Sequence, residues 1–211
     1  MNDQAGHVMF SENRGTGVIH VGANIGQEQG FYGSFELDVL WFEPIPSVFN
    51  RLKERLGAEP KQKAYRYAVT DEDDKMYPFY ITSNDGCSSS LLPLDEHRIE
   101  FPHMIPTETI FVQGITLNTF FKRNDIDAAR YQALVLDTQG TELKVLYGAT
   151  DLLPHIKFIE VEVADFEAYK GCARLEEMQT FMVEHEFAEK FRVTYPTDKH
   201  IGNYYEIVYG K

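Results

Sequence analysis

The sequence is poor in cysteine and in basic residues, and each shortage excludes a class of protein. Its 211 residues include two cysteines, Cys87 and Cys172, which are too few for a disulfide framework. No CxxC or HExxH spacing indicates a zinc site. The 20 Lys and Arg residues are outnumbered by 33 Asp and Glu residues, which gives a formal net charge of −13. Because such a surface repels phosphate groups, we expect neither nucleic acid nor an anionic membrane surface as a partner.

Long apolar runs are missing as well. No stretch of about 18 apolar residues is present, so no membrane span is predicted. Residues 1–15 are polar and mixed in charge, which is not typical of a signal or transit peptide, and the cytoplasm is the expected location. What the chain does contain is 43% hydrophobic residues, enough for one core at this length. We therefore predict a single domain over residues 1–211.

Short apolar runs alternate with amphipathic helical stretches along most of the chain. This order predicts a doubly wound, mostly parallel α/β sheet. Ser47 is expected to N-cap the helix that follows the second strand. The last two strands are separated by a short loop without a helix, so we expect them to pair antiparallel. The predicted strands are 18–21, 39–42, 64–69, 76–82, 109–115, 133–136, 158–163, 191–195 and 204–209.

One segment, residues 83–106, breaks the alternation. It begins with a polar, serine-containing loop and continues with three prolines and little periodicity. Long irregular segments in compact domains are often functional. We therefore predict that this insertion forms a lid and part of an acceptor site.

Ligands of such sheets bind beyond the carboxyl ends of the strands, where the strand order reverses. Gly22 and Gly26 follow the first strand and allow backbone to approach a ligand closely, although an ordinary tight turn explains them equally well. Glu43 ends the second strand, 21 residues after Gly22. Nucleotide-binding sheets hold ribose hydroxyls with an acid at about this spacing, whereas the alternative for Glu43 alone is a helix-start acid. Together, turn and acid favour a ligand that contains a nucleoside.

The same turn indicates which nucleoside is bound. Dinucleotide sites use G-x-G-x-x-G, but Asn24 stands where the middle glycine belongs, and no G-x-x-x-x-G-K-[ST] motif is present for a triphosphate. A cofactor with a ribose and no phosphate fits better. S-adenosylmethionine is the common cofactor of this kind.

Two further acids end strands of the predicted sheet. Asp137 closes a strand expected to lie beside the first one, so it should face the reactive end of the ligand; a helix N-cap is the alternative. Alternation places Glu160 and Glu162 on one face of their strand. The strand-end position makes Glu162 the better candidate for the pocket.

Six further blocks of sequence occur in order along the chain. They are VIHVGANIGQ at 18–27, WFEP at 41–44, AVTD at 68–71, SSSL at 88–91, DTQGTE with VLYGA between 137 and 149, and EVE at 160–162. Together these blocks resemble the FkbM-type family of S-adenosylmethionine-dependent methyltransferases. The resemblance extends over about residues 18–187 and implies a seven-stranded Rossmann-like fold. It also implies O-methylation of hydroxyl groups on sugars and other small molecules.

The resemblance also implies which residues hold the cofactor. The turn at 22–26 would pass under its methionine part, Glu43 would hold the ribose, and Ala68 and Val69 would flank the adenine. His20 departs from the family pattern because an aspartate is more usual there, and Thr138-Gln139 replaces a more usual branched and acidic pair. The expected cofactor-binding residues are His20, Gly22, Ala23, Asn24, Gly26, Gln27, Glu43, Pro44, Ala68, Val69, Ser89, Asp137 and Thr138.

An alcohol is a poor nucleophile, so a base must take its proton during methyl transfer. The catalytic candidates are His97, Asp137 and Glu162. His97 would suit this role because an ordinary histidine has a pKa of about 6.5, although a surface histidine is an equally good interpretation. A divalent metal held by Asp137 and Glu162 would acidify the hydroxyl instead, but nothing in the sequence requires one.

Two other functions remain open at this stage. A protein of the same fold could bind the nucleoside without catalysing a reaction, and His20 would be the first indication of such a loss. A nicotinamide-dependent sugar oxidoreductase could use a related sheet. The main prediction is an O-methyltransferase whose partner is a small-molecule or carbohydrate hydroxyl acceptor.

Overall fold

The computed structural model describes residues 3–10 and 17–211. Within them, the strands form a seven-stranded sheet and a smaller three-stranded sheet. The strands are β1 (Gly17–Val21), β2 (Asp38–Phe42), β3 (Gln62–Tyr65), β4 (Ala68–Val69), β5 (Met76–Thr82), β6 (Pro106–Ile115), β7 (Tyr131–Leu136), β8 (Phe158–Ala164), β9 (Ala188–Pro196) and β10 (Asn203–Gly210). The helices are α1 (Asp3–Phe10), α2 (Gln29–Ser34), α3 (Pro46–Leu56), α4 (His97–Glu100), α5 (Leu117–Arg123), α6 (Glu142–Tyr147) and α7 (Leu175–Glu184).

The large sheet has the strand order β3-β2-β1-β7-β8-β10-β9. Its first five strands in this order pair parallel, while β10 pairs antiparallel with both β8 and β9. Parallel neighbours need a crossover, usually a helix, whereas a short loop returns the chain antiparallel. The predicted seven-stranded, mostly parallel sheet with a final antiparallel hairpin is therefore confirmed.

Helices cover both faces of the large sheet, because alternate strand residues point to opposite sides. Ile19 of β1 belongs to a core cluster shared with α5, α6 and α7, whereas its neighbour Val18 packs in a second cluster with α1, α2 and α3. In α3, Val48, Leu52 and Leu56 are buried at intervals of four residues, the spacing of one helical face. Among the described residues, no helix has the length and apolar character needed to cross a membrane.

Two local predictions were wrong. The predicted strand 64–69 divides, because β3 ends at Tyr65 and Ala68–Val69 pairs with β6 in the small sheet. In addition, Ser47 is not the N-cap of α3. Ile45 holds that position and Pro46 begins the helix, since a proline at the first helical position has a suitable φ and needs no backbone partner.

The insertion 83–106 packs onto the segment that follows β8. The backbone N–H groups of Asp95 and His97 both donate to the carbonyl of Ala168, and Leu94 forms a bridge with Tyr169. Leu94 and Tyr169 are buried together in a separate apolar cluster. These contacts fix the insertion beside the carboxyl ends of β7 and β8.

Candidate functional site

A crevice opens at the carboxyl ends of β1, β2 and β7, where the strand order reverses. It holds about 650 Å³ of empty space, part of it open to solvent. Ten of the residues predicted for the cofactor line this crevice: Gly22, Asn24, Gln27, Glu43, Pro44, Ala68, Val69, Ser89, Asp137 and Thr138.

The turn after β1 is held to the neighbouring strands by its backbone. The N–H groups of Gly22 and Ala23 both donate to the carbonyl of Phe42, at 3.0 and 2.9 Å. Gly22 has a φ of +82°, and a Cβ there would overlap the carbonyl oxygen of Asp137. Glycine is therefore required at this position by both conformation and space. The ends of β1, β2 and β7 are brought together by this turn.

Glu43 is the most firmly held acid of the crevice. Its side chain is buried, with Oε2 accepting the Asn24 N–H at 3.0 Å and Oε1 accepting the Ile45 N–H at 2.7 Å. Burial raises the pKa of Glu43 to about 8, against the opposing effect of these two hydrogen bonds. Each carboxylate oxygen has two lone pairs. Glu43 therefore keeps acceptor capacity for hydroxyl groups in the crevice.

Asp137 stands where the crevice meets its neighbouring cavity. Its N–H donates to the carbonyl of Val21 at 3.0 Å, and its carboxylate accepts the Gln139 amide at 2.6 Å. Surrounding protein raises the pKa of Asp137, although the Gln139 hydrogen bond acts in the opposite direction. Thr141, and not Asp137, is the N-cap residue of α6. Asp137 lines both cavities; that it faces the reactive end of the ligand stays a prediction.

Glu142 shapes the loop after β7, and the sequence reasoning gave it no role in the site. Its buried carboxylate accepts the N–H groups of Thr138, at 2.8 Å, and Gly140, at 3.0 Å. Burial raises its pKa to about 7. An acid in the first turn of a helix, just after a strand-end glycine, was the available signal. Glu142 positions the backbone that carries Asp137.

A second cavity, which we call the acidic cavity, adjoins the crevice and holds about 490 Å³ of empty space. Four residues line both spaces: Gly22, Asn24, Gln27 and Asp137. Glu162 lines this cavity and also a smaller one, which Tyr169 and Tyr204 line as well. The side chain of Glu162 is exposed to the cavity, but desolvation by the surrounding protein, followed by the charges of nearby acids, raises its pKa above the ordinary value. The structure thus brings Asp137 and Glu162 together.

The remaining predicted cofactor residues do not line the crevice. His20 and Ala23 line the acidic cavity instead. His20 stacks on Trp41 and its Nδ1 lies 2.9 Å from the hydroxyl of Tyr32. Burial lowers its pKa to about 4, so His20 is neutral at pH 7. Gly26 is buried under the turn with a φ of +70°, where it shapes the loop.

His97 lies one layer behind the cavities. It lines none of the three cavities described here, and its Nδ1 is 2.7 Å from the hydroxyl of Tyr204. Tyr204 and Tyr169 line the smaller cavity beside Glu162, and the Tyr169 ring lies 5.3 Å from that of His97. Burial lowers the pKa of His97 to about 4, below the value expected from its sequence context. His97 is therefore connected to that cavity through its contact with Tyr204.

The insertion supplies part of the crevice wall. Ser89 accepts the Thr82 N–H at 3.0 Å, and the Ser90 hydroxyl donates to the carbonyl of Gln139 at 2.7 Å. The second bond joins the insertion to the loop that carries Asp137. Further crevice residues were not predicted as site residues, because they converge only in the folded chain: Val21, Phe42, Ile45, Tyr67, Phe79, Gly86, Cys87, Leu91, Gln139 and Thr141.

The described residues provide no obvious metal centre. Among residues 3–10 and 17–211, no three His, Cys, Asp or Glu side chains are arranged to hold a metal ion. The arrangement of Asp137 and Glu162 therefore does not support the metal alternative.

Known structures show the fold to which this crevice belongs. A methyltransferase of Burkholderia thailandensis that acts on 1,6-didemethyltoxoflavin, solved with that compound and S-adenosylhomocysteine, gives a TM-score of 0.50 at 11% identity. The match covers 99% of this chain and 77% of that one. The magnesium protoporphyrin IX methyltransferase of Synechocystis PCC 6803, solved with bound S-adenosylmethionine, gives 0.50 at 9% identity with the same coverage. At these identities the likeness shows the fold alone.

Comparison of the sequence with known proteins identifies the family, which the structural likeness does not. The 2-O-methyltransferase NoeI of Sinorhizobium fredii is 21% identical over 182 residues, which cover 82% of this chain and 74% of that protein. Residues 20–191 match the methyltransferase FkbM domain, and this range includes Glu43, Asp137 and Glu162. Because the match spans most of the chain, the resemblance found in the sequence is confirmed. The protein belongs to the FkbM methyltransferase family.

Proposed function

We propose that this methyltransferase transfers the methyl group of S-adenosylmethionine to a hydroxyl group of a small-molecule or sugar acceptor. One observation carries the proposal. Two backbone N–H groups hold the carboxyl group of Glu43 in the wall of the crevice, which the Gly22 turn also lines without a side chain. The name of NoeI as a 2-O-methyltransferase supports oxygen as the methyl acceptor.

The residues of the crevice fit this cofactor. Glu43 has free acceptor capacity for the two ribose hydroxyls. Ala68 and Phe79 pack together in an apolar cluster and line the crevice along with Tyr67, which suits the flat faces of an adenine. The backbone at 22–26 approaches the space between them without large side chains.

The chain's own groups supply alignment and a proton acceptor. When bound, the cofactor provides an electrophilic methyl group on its sulfonium. In-line displacement gains much of its rate from holding the acceptor oxygen in place in a site from which water is excluded. Asp137 is placed at the junction of the crevice and the acidic cavity, and its raised pKa makes it a stronger base than an ordinary aspartate once it is ionised.

Glu162 and His97 have secondary places in the proposal. Glu162 faces the same cavity as Asp137 and is the second candidate base. His97 would be a positioning residue, because it contacts Tyr204 and does not line the cavities described. The insertion 83–106 would cover the acceptor, since Ser90 ties it to the loop after Asp137.

Turnover on a library of hydroxyl compounds tests the proposal. Purified protein would be incubated with S-adenosylmethionine carrying a labelled methyl group, and label transfer and S-adenosylhomocysteine release would be measured. Methylated oxygen in at least one sugar or small alcohol is the expected result. Binding of a nicotinamide dinucleotide, with no binding of S-adenosylmethionine, would contradict the proposal and favour an oxidoreductase.

A further inference from the structure

A chain of side-chain hydrogen bonds ends on Asp137. The hydroxyl of Tyr169 lies 2.6 Å from Oε1 of Gln139, and Nε2 of Gln139 lies 2.6 Å from Oδ1 of Asp137. Tyr169 is buried, whereas the side chain of Asp137 is exposed to the two cavities that it lines. The contacts therefore lead from a fixed anchor to the candidate base.

The orientation of the Gln139 amide follows from its two partners. An ionised carboxylate only accepts hydrogen bonds, so the NH₂ group of the amide must face Asp137. The amide oxygen then faces Tyr169, whose hydroxyl can donate to it. A reversed amide would place two acceptors, its oxygen and the carboxylate, against each other. Tyr169 thus stabilises the orientation in which Gln139 donates to Asp137.

The backbone of Gln139 is fixed as well. Gln139 has a φ of +57°, which is uncommon for a residue other than glycine. The Ser90 hydroxyl donates to its carbonyl at 2.7 Å. The next residue, Gly140, packs closely on the anchor, because a Cβ there would lie 3.2 Å from the Cβ of Tyr169. The insertion and the segment after β8 therefore hold both the main chain and the side chain of Gln139.

We propose that Gln139 is a positioning residue for Asp137 and that Tyr169 acts on Asp137 through it. This inference rests on the proposed function, because it takes Asp137 as the proton acceptor in methyl transfer. By binding Oδ1, Gln139 leaves Oδ2 as the oxygen that takes the proton of the acceptor hydroxyl. Its N–H group also stabilises the charged form of the carboxylate, which is the form that acts as a base.

A double-mutant cycle tests this coupling. Gln139→Met keeps the length of the side chain but removes the donor, so it should lower kcat about tenfold, the size of one charge-assisted hydrogen bond. Tyr169→Phe should lower kcat by about threefold. The double variant should be no slower than Gln139→Met, because Tyr169 has no amide left to orient. Label transfer to an acceptor found in the hydroxyl library would give kcat, and calorimetry should show unchanged affinity for S-adenosylhomocysteine in all variants.

The titration of Asp137 tests the contact without an acceptor. Carbon NMR of protein with isotopically labelled aspartate would follow its carboxyl carbon, assigned by its loss in Asp137→Asn. In Gln139→Met this signal should titrate at a higher pH than in the wild type, because the charged form loses a donor. The other groups that act on Asp137 are the same in both proteins: Glu28, Glu43, Cys87, Glu142, Glu162, Glu206 and the N-terminal ammonium group.

Tyr209→Phe is the matched control. Tyr209 is also buried, but its hydroxyl has no hydrogen-bond partner among the described residues, so its loss should leave kcat and the titration unchanged. Melting curves would verify each fold, and the titration of Gln139→Met decides alone should Tyr169→Phe not fold. An unchanged titration in Gln139→Met would overturn the inference, as would losses of kcat that multiply in the double variant. The absence of label transfer by the wild type would overturn the proposed function, and the inference with it, even where the titration shows the contact.

Discussion

At the residue scale, the site depends on carboxyl groups whose surroundings differ. Glu43 has both oxygens held by backbone N–H groups, whereas Asp137 is held on one side by Gln139 and faces two cavities. The first arrangement suits binding, because the acid is fixed. The second suits proton transfer, because an oxygen remains available to the acceptor.

Replacement of Asp137 tests this division of roles. Asp137→Asn keeps the shape and removes the base, so kcat should fall by roughly 10²–10⁴-fold, the usual contribution of a general base. Steady-state kinetics with labelled cofactor would measure it. Affinity for S-adenosylhomocysteine should change little, as calorimetry would show. A variant with wild-type kcat would remove Asp137 from catalysis and leave Glu162 as the candidate.

At the element scale, α3 supports the turn after β1. Leu52 is fully buried on the apolar face of this helix, beside Gly26. Leu52→Ala should lower the free energy of unfolding by about 2–5 kcal/mol, because it removes buried methyl groups and leaves a cavity. Urea denaturation would measure this loss. Lys53→Ala, on the exposed side, should change it by less than about 0.5 kcal/mol; similar losses for both variants would contradict the assigned packing.

The elements also show what sequence can predict. The strand ends that carry Gly22, Glu43 and Asp137 were predicted correctly, because short apolar runs closed by glycine or acid are local signals. The division of strand 64–69 was not predicted, since it depends on pairing with β6, more than 40 residues away. The burial of His97 was missed for the same reason, as its partner Tyr204 lies 107 residues along the chain.

At the scale of the whole molecule, buried acids set the pH dependence of stability. Burial raises the pKa of Glu43 from 4.5 to about 8. An acid with a raised pKa stabilises the fold fully below its unfolded value, and this contribution is lost as the pH rises through the folded value. Burial lowers the pKa values of His20 and His97 to about 4. Their titration therefore changes the free energy of unfolding only below about pH 6.5, the ordinary pKa of histidine.

The free energy of unfolding should therefore decrease between pH 6.5 and pH 8. Urea titrations at several pH values would show this slope for the unliganded protein. In Glu43→Gln, which has no titrating group at this position, the decrease should be smaller by about 1–2 kcal/mol. Parallel curves for the two proteins would mean that Glu43 is already ionised in the folded state.

The central claim is that the crevice holds the nucleoside of S-adenosylmethionine through Glu43. Calorimetric titration of S-adenosylhomocysteine into the wild-type protein and Glu43→Ala, with melting curves to verify both folds, tests it most directly. We predict binding to the wild type and an affinity at least about tenfold lower for the variant, because the ribose hydroxyls lose the carboxyl group that accepts their hydrogen bonds. Equal affinities for the two proteins, or no binding to the wild type, would contradict the claim.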